Sequence, residues 1–147
     1  MPYRHTQPGT TILAVCTAIG VVGAVIAWRI TGQQATLIAM LIVLTGFYIV
    51  FHSLTVEVEG REVRWYFGPG LWTYRLGIDE IRSASVVRNQ WQNGFGIRKA
   101  PGLTLYNVSG LDAVELKLKS GEIRRIGTDD AEGLSAAINA AMRRLQA

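Results

Sequence analysis

Residues 11–30 read TILAVCTAIGVVGAVIAWRI and residues 35–54 read ATLIAMLIVLTGFYIVFHSL, and these two runs decide the fold. Each run has about 20 residues, so as a helix each would be about 30 Å long, the thickness of a bilayer core. The second run has no charged residue, and the first has only Arg29, near its end, where a long side chain can reach the headgroups. The four residues between the runs, Thr31 to Gln34, can join only antiparallel neighbours. The sequence therefore predicts a transmembrane helical hairpin, multi-pass in the cell (plasma or inner) membrane.

Small residues recur four positions apart along the first run, which predicts close packing of the two helices. The pairs are Ala14–Ala18, Gly20–Ala24 and Gly23–Ala27. Trp28 and Tyr48 lie towards helix ends, where amphipathic rings prefer the membrane interface.

Two alternatives for the first run stay open. It is also typical of a secretory signal peptide, with residues 25–27 as the cleavage site, although the apolar region is long and a second run follows at once. Residues 13–16 are similar to a lipidated-cysteine signal, although valine is a poor residue before Cys16. Since Cys16 is the only cysteine, no disulfide can form within one chain.

The orientation follows from the few cations that flank the runs. Arg4 precedes the first run, and Arg61 and Arg64 follow the second, whereas only Arg29 lies near the connection. The positive-inside rule then places both termini in the cytoplasm. The margin is small, so the reverse topology stays open.

From residue 54 onward the apolar residues alternate with polar ones, which predicts short antiparallel strands separated by glycine-rich turns. The clearest is 113–119, where Val114, Leu116 and Leu118 point one way and Glu115 and Lys117 the other. The seven predicted strands cover 54–59, 62–67, 71–76, 82–88, 103–106, 113–119 and 122–126.

A helical period replaces the alternation at the C-terminus. Asp129 followed by Glu132 predicts a capping box, and Arg143 and Arg144 suit the last turn of a helix. The apolar stripe consists of Ala131, Leu134, Ala137, Ile138, Ala141, Met142 and Leu145. Such a stripe has to be buried, and the open end of a curled sheet is the economical place.

Several segments resemble a group of small bacterial membrane proteins in which two helices precede a bacterial pleckstrin-homology (PH)-like domain. These segments are 94–98 (GFGIR), 106–110 (YNVSG), 112–116 (DAVEL) and 125–130 (RIGTDD). The resemblance implies a membrane α-helical hairpin plus an α+β, mainly β, PH-like domain: a seven-stranded antiparallel curled sheet or barrel capped by the C-terminal helix. The expected organisation is an N-terminal tail (1–10), the hairpin (11–54, with helices at 11–30 and 35–54) and the PH-like domain (55–147).

The segment 93–102, NGFGIRKAPG, combines three glycines with two cations. A phosphate-cradling loop would need a helix after the glycines, but a strand follows, so the segment lacks the structural half of a nucleotide-binding fingerprint and nucleotide binding is disfavoured. A shaped loop remains one interpretation. The other is contact with an anionic lipid or a partner through Trp91, Phe95, Arg98 and Lys99, since aromatic rings can enter an interface while cations meet anionic headgroups.

Composition excludes several other functions. The net charge of +4 is far from the basic footprint of a nucleic-acid-binding protein. His5 and His52 have no companion at metal-ligand spacing, and no paired acid lies near a histidine or serine, so we predict no metal, no cofactor and no catalytic residue. The resemblance to PH-like domains implies that a phosphoinositide site would have its basic cluster between the first two strands, and the nearly neutral turn at 59–62 therefore disfavours high-affinity phosphoinositide binding.

The sequence thus predicts a membrane-anchored binding or scaffold module, not an enzyme, at the cytoplasmic surface of the membrane. Binding to a protein, including self-association, is the first choice, because edge strands suit it. Peripheral recognition of anionic lipid headgroups through Arg98 and Lys99 is the alternative. An accessory subunit of a transporter or enzyme is a third interpretation.

Overall fold

The computed structural model describes residues 2–32, 34–93 and 95–146, which form three α-helices and two sheets. The helices are α1 (Thr10–Thr31), α2 (Gln34–Phe51) and α3 (Ala131–Gln146). The first sheet has the spatial order β1 (Tyr3–Pro8), β2 (Ser53–Glu59), β3 (Glu62–Phe67), β4 (Thr73–Gly77). The second has the order β5 (Ile81–Arg88), β8 (Asp112–Leu118), β9 (Ile123–Gly127), β7 (Leu103–Asn107), β6 (Gly96–Ala100).

The two apolar runs form a pair of packed helices, each long and apolar enough to cross a membrane. The helices approach closely at two glycines, because a Cβ at Gly20 would lie 2.5 Å from Cδ1 of Leu44 and one at Gly23 would lie 2.6 Å from Cε of Met40. The predicted small-residue packing is therefore confirmed at these two positions. Gln33, in the predicted connection, lies outside the described residues.

The N-terminal segment differs from the predicted tail. It forms β1, which pairs antiparallel with β2 from Tyr3 opposite Val58 to Pro8 opposite Ser53. Because this pairing recruits Ser53 and Leu54 into β2, α2 ends at Phe51, before the predicted residue 54.

Two side chains of β1 also fasten the start of α3. The Tyr3 hydroxyl donates to Oδ2 of Asp130 (2.9 Å), and Nε2 of His5 lies 2.5 Å from Oδ1 of Asp129. Burial and the hydrogen bond to Asp130 raise the pKa of Tyr3. Asp130 also caps α3, since the N–H of Gly133 donates to its Oδ1 (3.1 Å). The predicted cap at Asp129 is therefore wrong by one residue.

The predicted all-antiparallel, seven-stranded sheet is only partly correct. Over the described ranges there are nine strands, because β1 and β6 are additional, and neither sheet closes into a barrel. β9 returns between β8 and β7, and since β7 and β9 run in the same direction their pairing is parallel. The third predicted strand starts at Thr73 and not at Leu71.

The core lies between the two sheets and under α3. The indole of Trp65 is fully buried, with its centroid 5.2 Å from the ring of Tyr106 and 5.8 Å from that of Tyr74. The predicted stripe of α3 covers this core, because Ala131, Leu134, Ile138 and Ala141 are buried and Ala137 and Met142 are partly buried against it. Leu145 is the exposed member of the stripe.

Candidate functional site

Each sheet has one end that lies next to the helices α1 and α2 and one end that points away from them. β1 leads into α1 through Gly9, and α2 leads into β2 through His52, with a hydrogen bond of 2.7 Å from the Gly9 N–H to the His52 carbonyl. The second sheet reaches the same place, because the N–H of Ile12 donates to the carbonyl of Val108 (3.1 Å) in the β7–β8 connection. We call this end of the domain the helix-proximal end and the opposite end the helix-distal end.

Ser109 fastens the β7–β8 connection to the first turn of α1. Its hydroxyl lies 3.1 Å from Oγ1 of Thr10 and 2.8 Å from Oγ1 of Thr11. Its carbonyl accepts a hydrogen bond of 2.9 Å from Nε2 of the buried Gln7. These contacts fix the start of α1 relative to both sheets.

The four predicted contact residues do not form one cluster. Trp91 is 75% exposed, in a short 3₁₀ turn (Trp91–Asn93), and Phe95 is partly buried against the core. Both lie towards the helix-proximal end, because Gly96, next to Phe95, pairs with the last residue of β7. Gly94, part of the same predicted loop, lies outside the described residues.

Arg98 and Lys99 lie further along the chain, on β6. At about 3.3 Å per residue they are about 7 and 10 Å from Gly96, towards the helix-distal end. Both are exposed, and they point to opposite faces of the strand. The second half of the predicted glycine-rich loop is therefore an edge strand, not an irregular loop.

Arg98 borders a shallow depression of about 170 Å³ on the outer face of the second sheet. Leu105, the residue opposite Arg98, is only 3% exposed and lies in this depression. The lining residues are Arg98, Lys99, Ala100, Leu103, Leu105 and Arg125. The depression thus combines an apolar floor with the guanidinium groups of Arg98 and Arg125, whereas the side chain of Lys99 points to the other face of β6.

Arg125 is held in place by a buried polar network. Its Nε donates to Oε2 of Glu115 (2.8 Å), and its Nη1 donates to Oδ1 of Asn89 (3.3 Å). Glu115 and Asn89 are both buried. This arrangement partly neutralises Arg125, whereas Arg98 and Lys99 remain exposed cations at the edge.

Two exposed apolar residues were not predicted as part of a contact surface. Leu71 and Trp72 are 67% and 56% exposed, in the connection between β3 and β4. This connection lies at the helix-proximal end, because the N–H of Gly68 donates to the carbonyl of Ser53 (2.9 Å) and a Cβ at Gly68 would lie 2.4 Å from the carbonyl oxygen of Ile49 in α2. The turn composition of residues 68–70 was visible in the sequence, but the apolar residues after it favoured an early start of the strand.

The outer face of the first sheet carries an ion network around Glu57. Its carboxylate accepts hydrogen bonds from the guanidinium of Arg64 and from the hydroxyl of Tyr66 (3.1 Å), and Nε of Arg4 lies 3.3 Å from it. Desolvation would raise the pKa of Glu57, but the hydrogen bonds and the two guanidinium charges outweigh it and lower that pKa. The network joins β1, β2 and β3, so its evident role is structural.

Within the described ranges, no three His, Cys, Asp or Glu side chains gather as a metal site. No protein-family model matches the chain, and no curated protein matches it significantly.

Proposed function

We propose that the chain is a two-pass membrane protein whose sheet domain is a binding module held at the cytoplasmic surface of the cell membrane. The observation that carries this proposal is the insertion of the helical hairpin between two paired strands, β1 and β2. A single residue, Gly9 or His52, separates each helix from its strand. A hairpin joined in this way gives the domain a fixed height and orientation above the bilayer.

The exposure of the helices supports their place in lipid. None of the residues in the apolar window of α2 is buried in the structure, and only 11% of those in the window of α1 are. The first turn of α1 and the last turn of α2, in contrast, belong to the domain, because Ile12 is buried in the core and Phe51 contacts Phe67 edge-on with ring centroids 5.5 Å apart. Exposed apolar helices of this length have their favourable solvent in a bilayer.

The assignment of the sheet domain to the PH-like class stays a prediction. A four-stranded meander, a second sheet and a C-terminal helix that packs on both sheets support it. The parallel pairing of β7 with β9 departs from the all-antiparallel arrangement that the resemblance implies.

For the partner, we propose an extended acidic segment of another membrane protein, or of a second copy, that pairs with the free edge of β6. β6 is the last strand of its sheet, and residues 97–100 are exposed. An edge strand offers unpaired backbone groups to an incoming strand. Arg98, Lys99 and the adjacent Arg125 supply positive charge for acidic side chains on that segment.

A photo-crosslinking residue tests this proposal in native membranes. Placed at Ile97, it should give an adduct of discrete mass, and the charge reversal Arg98→Glu with Lys99→Glu should abolish the adduct. The matched control carries the same crosslinker at Ser120, an exposed position in the helix-distal β8–β9 turn. An adduct that survives charge reversal, or that also forms from position 120, contradicts partner binding at β6.

Recognition of anionic lipid headgroups is the second candidate, favoured by the exposure of Arg98, Lys99 and Trp91 along one segment. The full chain has to be used, because a fragment beginning at residue 54 would lack β1. In lipid nanodiscs, phosphatidylglycerol should slow amide exchange over residues 96–100 relative to phosphatidylcholine, and Arg98→Ala with Lys99→Ala should remove the difference. Equal exchange in the two lipids excludes this candidate.

A further inference from the structure

Three connections at the helix-proximal end contain no charged residue, and they cover residues 68–72, 89–95 and 108–111. The β9–α3 connection leaves the same end of the second sheet, because Gly127 pairs with Ala113, and its acids Asp129 and Asp130 contact His5 and Tyr3. The helix-distal connections carry Arg61, Asp79, Glu80, Lys119 and Glu122. Strand registers set which connection lies at which end, so the three uncharged connections share the end of the domain from which the helices leave.

Two of the uncharged connections also carry the most exposed apolar residues of the sheet domain. Leu71, Trp72 and Trp91 are 67%, 56% and 75% exposed. Residues 71 and 72 follow a turn that packs against the last turn of α2. Trp91 follows Asn89, whose N–H donates to the carbonyl of Leu111 (2.7 Å) in the connection that rests on α1.

We infer that the helix-proximal end is a second membrane contact, in which Leu71, Trp72 and Trp91 enter the interfacial layer of the bilayer that α1 and α2 span. The inference rests on the proposed function, since it requires the helices to be in lipid. Tryptophan prefers this layer because its ring is apolar while its indole N–H can donate a hydrogen bond to water or to a headgroup. The neighbouring Gln90 and Gln92 are exposed and suit hydrogen bonding to headgroups.

The contact is with the bilayer interface itself and not with a particular anionic lipid. The inserting residues are uncharged, so the contact needs no lipid charge and is insensitive to salt. This separates it from headgroup recognition by Arg98 and Lys99, which depends on both. The two inserting segments, residues 71–72 and residue 91, lie in connections of different sheets, so together with the helices they restrict tilting of the domain relative to the membrane.

Spin labels on the full chain in phosphatidylcholine nanodiscs test the inference. In a Cys16→Ala background, labels at Leu71→Cys and Gln92→Cys should collide more often with oxygen than with a water-soluble nickel complex. Leu41→Cys, exposed at the middle of α2, reports the hydrocarbon, and Ser120→Cys reports water. If the labels at positions 71 and 92 have the same relative accessibility as the label at 120 while the label at 41 reports hydrocarbon, the inference is wrong and the proposed membrane anchoring stands. If the label at 41 also has the same relative accessibility as the label at 120, the inference and the proposed anchoring are both wrong.

A second comparison separates the effect of the native rings from that of the label. Trp72→Ser with Trp91→Ser should shift the label at position 71 towards the aqueous value. The control is Trp28→Ser, which removes an exposed indole near the opposite end of α1 and should leave that label unchanged. A label that stays in the interface without Trp72 and Trp91 would show that these residues do not hold the connection there.

Discussion

Gly68→Ala tests the junction between the sheet domain and α2. Gly68 has a φ of +49°, and an added Cβ would lie 2.4 Å from the carbonyl oxygen of Ile49 and 2.6 Å from that of Val50. Ordinary contacts begin near 3.4 Å, and both neighbours are backbone atoms of a helix that cannot rotate away. The loop therefore has to move off α2 by roughly 1 Å, which weakens the hydrogen bond from Gly68 to Ser53.

The expected loss of stability has two parts. A left-handed backbone costs an L-residue about 1–2 kcal/mol relative to glycine. Loss of the Gly68–Ser53 hydrogen bond adds about 1 kcal/mol. We expect Gly68→Ala to lower the free energy of unfolding by the sum of the two, about 2–3 kcal/mol.

Gly60→Ala is the matched control, because Gly60 has a similar φ of +58° and no atom within 4 Å of the added Cβ. It should lower the free energy of unfolding by only the backbone part, about 1–2 kcal/mol. The measurement is denaturant unfolding of the full chain in detergent micelles, followed by the near-ultraviolet circular dichroism of the buried aromatic core. Equal losses in the two variants would refute the close packing of the β3–β4 connection on α2.

Three further predictions concern ion pairing, the N-terminal strand and the topology. Because the pKa of Glu57 is lowered in the folded protein, its carboxylate stabilises the fold above its unfolded-state pKa, and this stabilisation is lost as the pH falls through the folded-state pKa. Glu57→Gln should therefore lower the free energy of unfolding at pH 7 by about 1 kcal/mol and make it fall less steeply as the pH is lowered. The control Glu122→Gln, in an exposed ion pair, should change the free energy of unfolding little. If the acid dependence of Glu57→Gln equals that of the unsubstituted protein, the network around Glu57 is contradicted. Tyr3→Phe should lower the midpoint of thermal unfolding, because it removes a hydrogen bond to the cap of α3 that contributes about 1 kcal/mol. An unchanged midpoint would contradict the docking of β1 against α3. In a cysteine-free background, an impermeant maleimide should label Gln34→Cys in intact cells and Ser120→Cys only after the cells are opened; the opposite pattern establishes the reverse topology.

The helices and most strands were predictable because their patterns are local. Uninterrupted apolar runs define α1 and α2, and the alternation of Val114, Leu116 and Leu118 with polar residues defines β8. β1 gave no such signal, because its inward-facing residues are Tyr3, His5 and Gln7, whose burial depends on partners more than 100 positions away.

The candidate surfaces were less predictable, because they depend on which strand ends meet. Trp91 was identified from its neighbours, but its place at the helix-proximal end follows from the pairing of β5 with β8. Trp72 was assigned to a strand, since an apolar pair after a turn is typical of a strand start. No local pattern shows that residues 68–72 and 89–95 lie at one end of the domain, since this depends on the register of two separate sheets.

If the helices span a membrane as proposed, the pairing of β1 with β2 across the helical hairpin links the biogenesis of the protein to its insertion. During synthesis β1 emerges before its partner, which follows only after both apolar segments have left the ribosome. If one segment failed to integrate, the two strands would be stranded in different compartments and the domain would stay one strand short. In the proposed arrangement, completion of the sheet would require that both segments have crossed, and a chain with the wrong number of passes would expose the edge of β2 that β1 otherwise covers.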